Sequence, residues 1–377
     1  MNLNTDELVW TELERYALPP SLSWIADRGF NWPEAIHKSQ GRGATAIDVE
    51  TLRALAAFTN ERPASAKLPF AYTRVPPFAR QLIAKAIGRM QRVRQKKWAR
   101  FPAWPVDLSV DALADMSGVP SIKFPVTPVM VSHDIDSPEG LANLVKQFLP
   151  IEERAGCRSA NYIVPCAWSI DHAIVREAAQ RGHEIGVHGY DHSNWTPFAD
   201  PAERARRLEE GYRLAERYDG IGYRAPSLVR TQELIDGLKR HYRYDSSIPT
   251  SGGPFPVPNN GCASARPWLF GDMWELPLTM PRDGSLRFLG YSPDEILSLW
   301  TSSAEYISRS GGIIFLLTHC EAGFSGNPPM LAIYEAFLQW CASNPSMRFC
   351  CPRDLVDELA AAENGPGGAE PTARANP

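Results

Sequence analysis

The sequence has no apolar run of the roughly 20 residues that a membrane-spanning helix needs. Its longest strand-like apolar stretch, Ile313 to Leu317, is far shorter. The opening MNLNTDELVWTELERY carries early acids and lacks an apolar segment with a small-residue cleavage site, so no secretory leader is expected. These absences predict a cytoplasmic chain, free or peripheral to the inner membrane. A C-x-x-C pair is missing too. The seven cysteines are odd in number and two of them, Cys350 and Cys351, are adjacent, which suits free thiols rather than a disulfide framework or a zinc ribbon. An excess of one charge is missing: the net value is -4 over 377 residues, so no global attraction to nucleic acid is expected.

What is present divides the chain. Residues 1–120 mix aromatic and Pro-rich stretches with helical ones, such as Asp48 to Asn60, and read as a mainly helical and irregular extension. Within it, Arg80 to Arg100 holds eight Lys/Arg and no acid, interleaved with Leu82, Ile83, Ile87, Met90 and Val93. A basic amphipathic helix of this kind suits an anionic membrane surface or a phosphate-bearing ligand. From residue 121 to 362, short apolar runs alternate with helical segments: Thr127–Val131, Ala160–Val164, Glu184–Val187 and Ile313–Leu317 as strands, and Pro138–Phe148, Asp171–Gln180, Pro201–Tyr218 and Pro293–Ser308 as helices. That alternation predicts an α/β fold with a parallel sheet, closed into a barrel. Residues 363–377, rich in Gly, Pro and Ala, cannot bury a core and are expected to be disordered.

The unusual polar clusters follow the apolar runs. VMVS leads into His133-Asp134-Ile135-Asp136, EIGV into His188-Gly189-Tyr190-Asp191-His192, IGY into Arg224-Ala225-Pro226, YRY into Asp245-Ser246-Ser247, and IIFLLT into His319-Cys320-Glu321. In a parallel barrel the strand C-termini share one face, so these clusters converge on one mouth. Two histidines four apart, with a carboxylate from another strand, make the three-ligand set of a mononuclear metal hydrolase, leaving one position open for water. An Asp-x-Asp pair puts two carboxylates on one side of an extended segment, one for the metal and one for a base.

At these residues the sequence resembles the polysaccharide deacetylase (NodB-homology) family over about residues 121 to 355. HDID, HEIGVHGYDH, GYRAP, YDSS and LLTH look like its five motifs, in order. The resemblance implies a distorted (β/α)7-type barrel and hydrolysis of N-acetylated sugars or glycan precursors. It implies Asp136, His188 and His192 as ligands of one divalent ion, zinc first with Co2+ or Ni2+ as alternatives. It implies Asp134 as general base, Arg224 as its partner, His319 as general acid and Asp245 as the carboxylate that tunes His319. Ile135 stands between the two acids where many members have Asp-Asp, which leaves open an inverted assignment with Asp134 on the metal. Ser227 stands where an aromatic is usual, and the fourth motif lacks its Trp, with Trp168, Trp195 and Trp274 as substitutes or as core. His133 and His183 read as packing or hydrogen-bonded histidines, Asp191 as a turn residue, Cys320 as a small buried residue and Glu275 as a residue near the mouth. The same site would also suit a cyclic-amide hydrolase or an O-acetyl esterase; a silent carbohydrate-binding relative would need neither Asp134 nor His319. The absent leader favours a nucleotide-linked or lipid-linked precursor over a finished wall polymer.

Overall fold

The computed structural model describes residues 62–94, 106–116, 121–251 and 261–363. The helix expected at Asp48 to Asn60, the tail after residue 363 and the end of the basic stretch lie outside them. The strands are β1 (Thr127–Ile135), β2 (Ala160–Ile163), β3 (Glu184–His188), β4 (Gly222–Arg224), β5 (Tyr244–Asp245), β6 (Trp268–Phe270), β7 (Met273–Glu275), β8 (Ile314–His319) and β9 (Met347–Phe349). They form one sheet in the order β6-β7-β5-β4-β3-β2-β1-β8, with β9 on the N-terminal end of β1.

From β7 to β8 this path holds seven strands, paired in parallel throughout. Helices His172–Gln180 and Pro201–Arg217 connect successive strands, as the crossover rule for parallel strands requires. Closure is incomplete. The chain beyond β7 reaches β8 through Phe315 N–H to Thr279 Oγ1 (2.8 Å) and Met280 N–H to the Phe315 carbonyl (3.2 Å). The result is a curled, distorted (β/α) barrel, with β6 as an antiparallel hairpin arm on β7.

Two boundaries differ from the sequence reading. β1 runs four residues past Val131, so Asp134 is within the strand. The helix expected over Pro138–Phe148 breaks into Pro138–Asn143, a π turn at Leu144–Phe148 and a further helix, Leu149–Arg154. Pro150 lies at the start of that helix and has no N–H to donate to the preceding turn, which favours the wider π register.

Alternation along the strands sorts side chains into two sets. Val129, Val131, Ile185, Val187, Ile314 and Leu316 pack under the helices, while Met130, Tyr162, Tyr244, Trp274, Phe315 and Leu317 form the inner set, with helix Pro352–Glu363 packed against it. Gly222 makes room inside: a Cβ there would come within 2.1 Å of the Tyr244 ring. The parity then decides function. Ser132, Asp134 and Asp136 share the inner parity of Met130, whereas His133 falls on the helix side, where it meets Thr318 (2.9 Å) and Glu152 (2.7 Å).

Candidate active site

Asp134 sits near the end of β1, His188 ends β3, Arg224 ends β4 and His319 ends β8. Asp136 follows β1 by one residue, and His192 stands in the loop after β3 with φ +59°. That loop turns at Gly189, φ +67°, where a Cβ would lie 2.4 Å from the Pro226 ring. Glycine is therefore required on both conformational and steric grounds. The turn brings the two histidine rings to a centroid separation of 5.1 Å.

One donor atom from each of Asp136, His188 and His192 lies within 4.8 Å of the others. Asp136 Oδ1 is 3.6 Å from His188 Nε2 and 3.5 Å from His192 Nε2. A tetrahedral zinc ion with bonds near 2.1 Å separates its ligands by roughly 3.4 Å. Oδ1 of Asp136 is buried and has no hydrogen-bond partner among the described residues, a state that a cation would relieve. His188 Nδ1 is anchored 3.1 Å from the Arg224 carbonyl, which aims Nε2 inward. Burial lowers the His188 pKa, against the pull of Asp134 and Asp136, favouring the neutral imidazole that ligates. The Asp136 and His192 side chains are 28% and 15% exposed and that of His188 1%, so the cluster opens to solvent on one side. These residues fit a mononuclear divalent ion with an open position.

Beside the cluster, Asp134 accepts a hydrogen bond from Arg224 Nη1 at 3.0 Å, and its other oxygen lies 3.5 Å from His188 Nε2. Burial pushes the Asp134 carboxyl up, but His188, Arg224 and His319 outweigh it and hold the pKa below the usual value. Arg224 is fully buried. It also donates to Ser132 Oγ, Ser246 O and Ser246 Oγ, and its guanidinium lies 4.0 Å from the Tyr162 ring centroid. A buried guanidinium tied down this way is a fixed positive charge.

On the neighbouring strand β8, His319 Nδ1 lies 2.8 Å from Oδ1 of Asp283, whose Oδ2 accepts from the His319 backbone N–H (2.8 Å) and from Ser325 (2.7 Å). The Phe324 ring stacks on the imidazole at 4.7 Å. Burial lowers the pKa of His319, but Asp283 overcomes this, with help from Asp136 and Asp134, and raises it to about 10.

The partner expected for His319 was Asp245, and the structure corrects that. Asp245 accepts from Ser247 Oγ (2.6 Å) and Ser247 N–H (3.1 Å) and pairs across the sheet with Glu275. Tyr244 occupies the inner pleat of β5, so the next residue points the other way. Glu275 shares that outer side, and burial followed by Asp245 pushes its carboxyl well up. Asp283 begins helix Asp283–Phe288, which no motif marked.

Two more residues were given no role by the sequence reading. Glu321 Oε1 accepts from Asp136 N–H (3.2 Å) and Ser137 Oγ (2.7 Å), and burial followed by Asp136 raises its pKa to about 7. Its position two residues after His319 was the available signal. Tyr72, more than 50 residues before β1, places its hydroxyl 2.5 Å from His192 Nδ1; nothing in the sequence pointed to it. His183 bonds Ser159, Asp191 caps the turn at Ser193 and pairs with Arg207, Cys320 is buried, and Trp274 is core.

Residues 124–236 match the polysaccharide deacetylase family. That stretch resembles a polysaccharide deacetylase domain. Its barrel resembles that of a Mycobacterium smegmatis protein assigned as a polysaccharide deacetylase, with TM-score 0.52 and 18% identity over 68% of this chain and 99% of that one. An allantoinase gives a similar likeness, TM-score 0.51 at 15% identity, over 68% of this chain and 98% of that one. At such identities both comparisons speak to the fold. Over 119 residues the chain is 28% identical to a Shewanella sediminis protein assigned as a 4-deoxy-4-formamido-L-arabinose-phosphoundecaprenol deformylase, covering 29% of this chain and 34% of that protein. The chain thus spans about a third of the length of that relative. Among the described residues, no helix is long and apolar enough to cross a membrane.

Proposed function

We propose that this chain is a metal-dependent hydrolase that removes a small N-acyl group, acetyl in the first instance, from an amino sugar of a lipid-linked glycan precursor. The observation that carries the reading is that two acid–base pairs, Asp134–Arg224 and His319–Asp283, stand at the same strand ends as a three-donor cluster. A divalent ion held by Asp136, His188 and His192 would acidify a water and polarise the acyl carbonyl. Asp134, kept ionised by Arg224, accepts the proton of the attacking water. His319, kept protonated by Asp283, delivers a proton to the departing amine, which is a poor leaving group without it. Each proton transfer contributes about 10²–10⁴ in rate.

A lipid-linked substrate is supported by the deformylase relative, whose substrate is assigned as a phosphoundecaprenol-linked sugar. Helix Pro77–Arg94 supports it as well. The helix packs through Gly88 against the Phe288 carbonyl and exposes Phe78, Leu82, Ile83, Ile87 and Met90, with exposed Lys85 and Arg89 among them and no acid. An outward apolar face framed by cations suits an anionic membrane surface.

The test is acyl release from lipid-linked, nucleotide-linked and free N-acetyl and N-formyl sugars, with His188→Ala as control. Acetate or formate set free by the native chain and not by the variant supports the reading. A zinc-loaded chain that binds sugar and frees neither acid would end it. A cyclic amide or an O-acetyl ester hydrolysed in preference would move it to another substrate.

A further inference from the structure

Outside the matched residues, the segment 62–94 reaches into the site. Tyr72 lies on the single turn Tyr72–Arg74, its hydroxyl 2.5 Å from His192 Nδ1. The segment is held there at several points. Asn194 Nδ2 donates to Ser65 Oγ (3.1 Å) and Arg62 donates to the Phe198 carbonyl (2.9 Å). The two candidate ligand histidines are then treated alike. Each turns Nε2 toward Asp136, and each has its Nδ1 occupied: His188 by the Arg224 carbonyl, His192 by a phenol from outside the deacetylase match.

An imidazole that ligates through Nε2 carries its proton on Nδ1 and has to donate it. In the barrel a backbone carbonyl accepts from His188. Among the described residues, the oxygen at His192 Nδ1 is Tyr72 Oη rather than a carbonyl. His192 also stands in the left-handed region, at φ +59°, on a loop rather than a strand. Its ring direction therefore depends on what holds the far nitrogen.

We propose that Tyr72 is a positioning residue of the metal centre: its phenolic oxygen accepts the Nδ1–H of His192 and fixes the ring with Nε2 toward the ion. The segment that carries Tyr72 thus completes a site whose ligands all come from the barrel. The proposal rests on the reading that Asp136, His188 and His192 hold a divalent ion, and its test separates the two.

The full chain is stripped of metal and titrated with Co2+, followed by its visible absorption and by competition with a chelator. Tyr72→Phe keeps the ring and removes only the oxygen. It is expected to bind Co2+ about 10–100-fold more weakly, the usual effect of losing an outer partner, with an altered absorption band. Ser65→Ala loosens the same segment at Asn194 without touching His192, and should keep the native affinity and spectrum. His188→Ala should lose binding altogether. Native affinity and spectrum in Tyr72→Phe would overturn the proposal, as would equal weakening in Ser65→Ala, which would show that docking of the segment alone matters. A native chain that binds Co2+ no better than His188→Ala would instead remove the underlying metal reading.

Discussion

His319 Nδ1 lies 2.8 Å from the Asp283 carboxylate, although Asp283 belongs to a short helix on the way from β7 to β8 and to none of the five motifs. The same carboxylate accepts the backbone N–H of His319, so ring and backbone are held by one group. This pair makes His319 an acid that stays charged at neutral pH. With its folded pKa raised to about 10, above the ordinary value near 6.5, the pair's contribution to stability is complete below about pH 6.5 and is lost as pH rises through about 10.

Replacing Asp283 by Asn should therefore bring the alkaline limb of kcat down toward neutral pH and lower kcat itself by about 10²-fold or more. A bound cation offsets part of what Asp136 and Asp134 add, so the limb of the loaded native enzyme should lie below about 10. A kcat–pH profile of both proteins measures this; a limb unmoved in Asp283→Asn would remove His319 as the acid.

Asp245→Asn separates the structural partner from the motif's. Asp245 faces away from the mouth and caps Ser247, so the variant should keep the native alkaline limb and lose about 1–3 kcal/mol of stability from its buried hydrogen bonds. Urea unfolding alongside the pH profile checks both halves.

Asp134→Asn should lower kcat by about 10²–10⁴ while zinc content, read by elemental analysis, stays near the native value. If zinc were lost with Asp134 and kept without Asp136, the inverted assignment would hold. Arg224→Met should cost about 3–5 kcal/mol, because it leaves the Asp134 carboxylate buried without its cation.

Glu184 is a pH-sensitive element away from the mouth. It accepts from the Tyr244 hydroxyl (2.9 Å) and the Arg353 N–H (3.0 Å), and burial raises its pKa to about 7. Its folded form prefers the proton, so stability falls as pH rises from about 4.5 to about 7 and the deficit is constant above. Glu184→Gln should gain on the native chain by roughly 3 kcal/mol between pH 4.5 and pH 8, at about 1.4 kcal/mol per pKa unit. Denaturant midpoints at the two pH values test the difference.

The parallel barrel was legible because its longer strands are apolar runs alternating with helical segments, and its polar residues cluster where those runs stop. Asp136, His188 and His192 could be picked out because short loops after neighbouring strands must open on the same face. Within β1, even the parity of Asp134 against His133 is a local property of the pleat. Which face a short strand such as β5 turns inward is not, since packing in the curl decides it: the Tyr244 ring takes the inside and turns Asp245 outward. The three-donor cluster was thus written in spacing, which is local. The groups that meet the site histidines, Asp283 at His319 and Tyr72 at His192, come from segments distant in sequence that only the folded chain brings within hydrogen-bond reach.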